Sequence, residues 1–161
     1  MRYAIAAVLL ALTGCSDETT EADRQLAVAE VEANQEPPVE QLIPGPIRYP
    51  DIEANDLYGA GCNFVPEGGG MGAIALAQAD EGYMKRGEDI LRFAADKGSR
   101  ELPYMAHRKY DGRDYSFTLE LEEGMGERSG IETTDYPGIL TVTDGKDRIV
   151  YRASGLVQCG A

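Results

Sequence analysis

Few residues in this chain could do chemistry. His107 is its single histidine, Cys15, Cys62 and Cys159 are its three cysteines, and Trp is absent. One histidine excludes three-His zinc sites and every H-x-x-H arrangement. It also leaves a single imidazole base for Ser16, Ser99, Ser116, Ser129 and Ser154, with no G-x-S-x-G elbow and no S-x-x-K among them. Met105 and His107 lie one residue apart and would share a strand face, where they could bind copper with Met71, Met84 or Met125. A lone His beside Arg108 and Lys109 reads more simply as a surface or edge residue. The tetrads DGRD (111–114) and DGKD (144–147) each offer two carboxylates, whereas calcium takes roughly six or more oxygens, so both read as hairpin tips. Gly68, Gly69, Gly70 and Gly72 are not followed by GK[ST] and read as a loop between strands rather than a phosphate cradle. Glu120 and Glu122 could pair for glycosidic cleavage, yet alternation places them on the solvent side of one strand. The sequence therefore assigns no catalytic, cofactor-binding or metal-binding set.

Sulfur chemistry is better defined. Residues 1–14 read MRYAIAAVLLALTG, a basic start at Arg2 followed by an uncharged apolar run, which is the pattern of a secretory signal. The run is too short for a transmembrane helix, which needs about 20 apolar residues. It ends in Leu12, Thr13, Gly14 and Cys15, a tetrad that resembles the lipobox of bacterial lipoproteins. The resemblance implies a diacylglyceryl thioether on Cys15, an acylated amino group and a mature chain that starts there. Each buried CH2 of an acyl chain contributes about 0.8 kcal/mol, so several chains attach the protein to a membrane without a spanning helix. Ser16 follows the cysteine, which in the enterobacterial sorting pattern implies the outer membrane, facing the periplasm. With Cys15 consumed by lipid, Cys62 and Cys159 remain as an even pair in an oxidising compartment, where a disulfide is expected.

Residues 15–45 hold the lipidated Cys and an acidic linker. Positions 16–45 contain eight acidic residues against the single Arg24 and no aromatic residue, a composition expected to remain a disordered spacer. Glu21 to Ala33 is rich in helix formers and is expected to form at most a fraying helix; Pro37, Pro38, Pro44 and Pro46 favour extended chain after it.

Residues 46–161 are expected to form one β domain. Tyr115, Phe117, Leu119 and Leu121 alternate with Ser116, Thr118, Glu120 and Glu122, the period of a half-buried strand. The same alternation groups Leu91 with Phe93 and Ala95, Leu140 with Val142, and Ile149 with Tyr151 and Ala153. Arg86-Gly87, Asp111-Gly112 and Asp144-Gly145 mark hairpins, with Gly supplying positive φ. The run AIALAQA (73–79) has helix-favouring alanines, but the glycines before it and the hairpin after it make it a strand. Strands at this spacing, with no long helical period after residue 50, predict an all-β fold: a small antiparallel β-sandwich or barrel closed by one disulfide and preceded by the linker.

Charge narrows the partners. With 28 acidic against 15 basic side chains and a formal charge of -13, nucleic acid and anionic headgroups are excluded. The expected partners are the membrane, through the lipid on Cys15, and an envelope protein or a basic protein. The sequence thus predicts a cell-envelope lipoprotein with a non-catalytic β domain for binding or structural roles and no cofactor. Size, anchor, small β architecture and terminal-strand disulfide are similar to the membrane-bound lysozyme inhibitors, although their S-G-x-x-Y loop segment is not reproduced at Ser129-Gly130 or Ser154-Gly155. A hydrolase acting on envelope polysaccharide through acidic residues is the expectation from a different class.

Overall fold

The computed structural model describes residues 20–34, 38–70, 72–122 and 124–161; the signal segment 1–14 and Cys15 lie outside the described residues. The chain divides into two compact units, 1–38 and 39–161.

In the first unit, Glu21–Asn34 forms helix α1, over the stretch of helix formers that the sequence marks within the expected spacer. Thr20 explains its start: the Thr20 hydroxyl oxygen accepts the Asp23 backbone N–H at 3.2 Å, and the Asp23 carboxylate accepts the Thr20 N–H at 3.0 Å. The Thr20 hydroxyl, which donates to the same carboxylate at 2.6 Å, and then the Thr20 N–H hold the Asp23 carboxyl below its usual range. Every α1 side chain described is exposed. The helix therefore stands on propensity and capping rather than on a buried face.

The second unit is a closed eight-stranded antiparallel barrel. Its strands are β2 (Gly61–Pro66), β3 (Ala75–Gln78), β4 (Glu81–Arg86), β5 (Asp89–Ala95), β6 (Lys109–Gly112), β7 (Tyr115–Leu121), β9 (Thr134–Asp144) and β10 (Ile149–Gly160). Each of the eight pairs with the next one around, and β10 closes on β2. Two short strands sit outside this circuit: β1 (Pro44–Gly45) pairs with Arg86 and Lys85 of β4, and β8 (Glu127–Arg128) pairs with β9. The expected disulfide is formed. Cys62 and Cys159 face each other directly across the β2–β10 seam, 97 residues apart in sequence.

An eight-stranded barrel is just wide enough for side chains to fill it. Here Phe64, Met84, Tyr110, Phe117, Leu119, Leu140, Val142 and Val157 are fully buried inside. Phe117 packs edge-on to Phe93 at 5.0 Å and stacks on Tyr110 at 4.7 Å. Gly82 makes room for this cluster, because a Cβ there would sit 2.6 Å from Phe117. The Tyr110 hydroxyl donates to the Gln78 carbonyl at 2.6 Å and accepts the His107 N–H at 2.7 Å, so this buried polar tip is satisfied.

The alternation of β7, and the pairings of Leu91 with Phe93 and Ala95 and of Leu140 with Val142, all face this core. The run at 73–79 is strand β3. Ile149 departs from expectation. It is 51% exposed, whereas Val150 is buried, because an extra residue in β10 between Ile149 and Tyr151 inverts the alternation. Tyr151 and Ala153 resume the inward face.

The hairpins stand as expected, but their glycines act differently. Gly87, with φ +60°, supplies the turn between β4 and β5. Gly112 lies within β6, where a Cβ would meet Phe93 at 2.7 Å, and the β6–β7 turn falls at Arg113-Asp114. In the β9–β10 turn the positive φ is carried by Asp147, not by Gly145.

The domain also begins earlier than position 46. Leu42 is buried and donates its N–H to the Val150 carbonyl at 3.0 Å, and β1 pairs with the barrel. A seven-residue helix, α2 (Tyr49–Asn55), was not expected from the sequence. It covers a second apolar cluster on the outer barrel wall, in which Ile47, Leu57 and Tyr83 are buried against Ile52, Leu76 and Ile90.

Candidate binding groove on the outer wall

The disulfide fixes what lies on the outside of the seam. Successive strand residues face opposite ways, so with Cys62 and Cys159 opposed and pointing inward, Asn63 and Gln158 are opposed and point outward. Gly61 opposes Gly160 on that same outer face, leaving bare backbone beside the amide pair. A Cβ on Gly61 would lie 2.2 Å from the Ala77 carbonyl oxygen, so no other residue fits there.

These residues floor a groove of about 400 Å³, together with Leu76 and Gln78 of β3. Tyr49, Ile52, Leu57 and Tyr58 border it from the α2 side, and Thr133 from the β9 side. Tyr49 is 65% exposed and Tyr58 57%. Its lining contains no Asp, Glu, Lys, Arg or His side chain.

The α2 border is held by polar contacts to the barrel. Asp51 caps the helix by accepting the Arg48 N–H at 2.8 Å, and its other oxygen accepts Lys85 Nζ of β4 at 2.7 Å. The hydrogen bond from Lys85 holds the Asp51 carboxyl below its usual range. At the other end Arg92 of β5 donates to the Asn55 carbonyl at 3.0 Å, its guanidinium lying 5.2 Å from the centre of the Tyr83 ring. Asp56 closes the helix with a left-handed φ of 54°, and Leu57 turns into the outer cluster. Gln78 then ties this segment to β3, donating Nε2 to the Leu57 carbonyl at 2.9 Å. The Tyr49 hydroxyl beside Tyr58 raises the Tyr58 pKa above its ordinary value.

A second groove of about 430 Å³ has a different character. It is lined by Arg100, Arg108, Glu120 and Glu122, with Arg108 and Glu120 joined in an ion pair. Glu120 is thus committed to Arg108. Among the described residues the carboxyls with displaced pKa values are Asp23, Asp51, Asp80 and Asp144, and each is lowered by a hydrogen bond, from Thr20, Lys85, Lys97 and Arg148 respectively. A general acid for glycosidic cleavage needs the opposite displacement.

The copper grouping of Met105 and His107 is not assembled as a strand face. Met105 lies in the 3-10 turn Pro103–Met105 and is 62% exposed, while His107 makes only an isolated bridge to Glu101. His107 is also a buried residue rather than an edge one, at 8% exposure, and its Nδ1 has no hydrogen-bond partner among the described residues. Met84 is sealed in the core, Met125 is exposed, and Met71 lies outside the described residues. Among the described residues no three His, Cys, Asp or Glu side chains form a metal-holding group. Asp111 accepts the Ser116 hydroxyl, and Asp144 accepts both Arg148 and the turn N–H groups of Lys146 and Arg148, so both tetrads stabilise hairpins.

No family model, curated protein or solved structure matches this chain.

Proposed function

We propose that this chain is a cell-envelope lipoprotein, anchored through Cys15, whose barrel is a non-catalytic binding module using the outer groove over the disulfide seam. One observation carries the reading: the barrel interior is packed full, while the groove between Tyr49, Tyr58 and the Asn63–Gln158 pair, lined by no charged side chain, is open on the outside. The disulfide is consistent with an oxidising compartment, and the Leu12 to Cys15 tetrad with a lipid attachment.

The test uses the purified chain carrying Cys15→Ala, which has no lipid of its own, incubated with envelope fragments of the source bacterium and sedimented. Retention is expected, and loss of retention when Tyr58→Ala and Asn63→Ala are added. Equal sedimentation of both proteins contradicts the groove as the binding site. Mass spectrometry of the unmutated chain checks the anchor: an unacylated Cys15 contradicts attachment.

A second reading, an inhibitor that enters the cleft of a basic enzyme such as lysozyme, is favoured by the loop between β5 and β6. Tyr104 and Met105 are consecutive non-glycine residues with left-handed φ of 58° and 60°. They are held between the buried Leu102 and Ala106, and Leu102 donates its N–H to the Ala106 carbonyl at 2.7 Å. Strained, exposed tips on a rigid base are often functional. Undiminished lysis by lysozyme at micromolar protein would remove this reading.

A further inference from the structure

We propose that the groove over the disulfide seam is a saccharide subsite that takes an uncharged sugar. This rests on the reading of the groove as the binding site and names its ligand class.

The lining holds no charged side chain, in a chain with 43 charged Asp, Glu, Lys and Arg side chains, 28 acidic and 15 basic. An anionic ligand such as an acidic sugar would find no cationic side chain there, and burying a charge without a partner is costly. The lining offers directional hydrogen bonding instead. Gln78 and Gln158 each commit Nε2 to a neighbour, to the Leu57 carbonyl and the Asp135 carboxylate, both at 2.9 Å. Their side-chain carbonyl oxygens are thereby oriented and receive no hydrogen bond among the described residues. The Asn63 side chain is half-buried and makes no hydrogen bond among them either, so it brings donor and acceptor to the floor. Sugar hydroxyls both donate and accept, which matches this mixed set.

The remaining lining suits the apolar C–H faces of a sugar ring. Tyr49 and Tyr58 present exposed aromatic surface with a polar tip. The Gly61–Gly160 pair adds no side chain of its own to the floor. A volume of about 400 Å³ lies within the range of small-molecule sites. The disulfide under the floor and the Asp51–Lys85 pair behind α2 hold the two sides in place, which reduces the ordering cost of binding. No Asp or Glu side chain lines the groove, so the assignment is to binding and not to cleavage.

The experiment is a proton–nitrogen NMR titration of the lipidated chain in detergent micelles, following the side-chain amides of Asn63, Gln78 and Gln158. The probes are triacetylchitotriose and maltotriose, with trigalacturonic acid as the charged counterpart. Saturable shifts of these amides with a neutral trisaccharide are expected, and weaker ones with the acid. Tyr58→Ala and Asn63→Ala should each weaken binding about tenfold, whereas Tyr58→Phe, which keeps the ring, should stay within about twofold. Glu120→Gln in the charged groove should leave binding unchanged. Absence of a saturable shift with both neutral sugars overturns the proposal, as does equal binding of the acid or an equal loss with Glu120→Gln. Groove-dependent sedimentation with envelope fragments but no response to these sugars would overturn the ligand class alone; failure of both would remove the site as well.

Discussion

Asp51 divides its two carboxylate oxygens between its own helix and the barrel, one capping α2 at the Arg48 N–H and the other 2.7 Å from Lys85 Nζ on β4. Through this residue a seven-residue helix, too short to be stable alone, becomes a fixed border of the groove. Lys85→Met should therefore speed hydrogen exchange in α2 and around Tyr58 while leaving β6 and β7 unchanged. The drop in melting temperature should be smaller than that from loss of the disulfide. Unchanged α2 exchange would show that the apolar cluster under Ile52 suffices. Acid should act at the same point. The Asp51 pKa is lowered in the fold, so the pair's stabilisation is present above the ordinary carboxyl pKa of 3.8 and is lost as pH falls below it.

The seam depends on its sulfurs. Replacing Cys62 and Cys159 together by Ala releases a constraint spanning 97 residues, for which the chain-entropy model gives about 4 to 5 kcal/mol. Urea unfolding should show a loss of that order. An unaltered midpoint would mean that strand pairing alone sets the seam's stability.

Gly82→Ala tests the packing of the core. The added methyl would meet Phe117 at 2.6 Å and Tyr110 at 2.8 Å, where neither ring has space to retreat. Overpacking of this kind costs about 1 to 3 kcal/mol. Denaturant titration measures it, and a neutral result would show that the aromatic cluster can shift.

Alkali should unfold the barrel through its buried phenols. Burial raises the pKa of Tyr110 to about 12, and burial followed by the Glu81 carboxylate raises that of Tyr83 to about 12. In the unfolded chain both ionise near the ordinary tyrosine value of 10.0, so the unfolded state loses protons first. Stability should accordingly hold below pH 10 and fall between about pH 10 and pH 12, by about 2 to 3 kcal/mol for each tyrosine. Unfolding experiments across that range check the slope, and Tyr110→Phe should flatten it.

Much of the barrel was legible because it rests on alternation. Phe117 and Leu119, or Leu140 and Val142, state their inward face in sequence alone. Ile149 misleads because one extra residue in β10 inverts the period without altering composition. Helix α2 left no periodic trace, since seven residues that begin Tyr49-Pro50 are too few to show one. The groove was hidden for another reason: its residues come from α2, β2, β3, β10 and the segment before β9. One signal was available. A Cys62–Cys159 bridge across antiparallel strands forces Asn63 opposite Gln158 on the outer face, and that amide pair could have been read from the two flanking dipeptides.

The most direct test of the outer groove as this barrel's working surface is hydrogen exchange of the lipidated chain, in micelles, with and without envelope fragments. The account predicts added protection confined to residues 49–63 and the end of β10, with the 100–108 loop and the Arg108–Glu120 groove unchanged. Protection centred on those latter segments, or none at the seam, would contradict it.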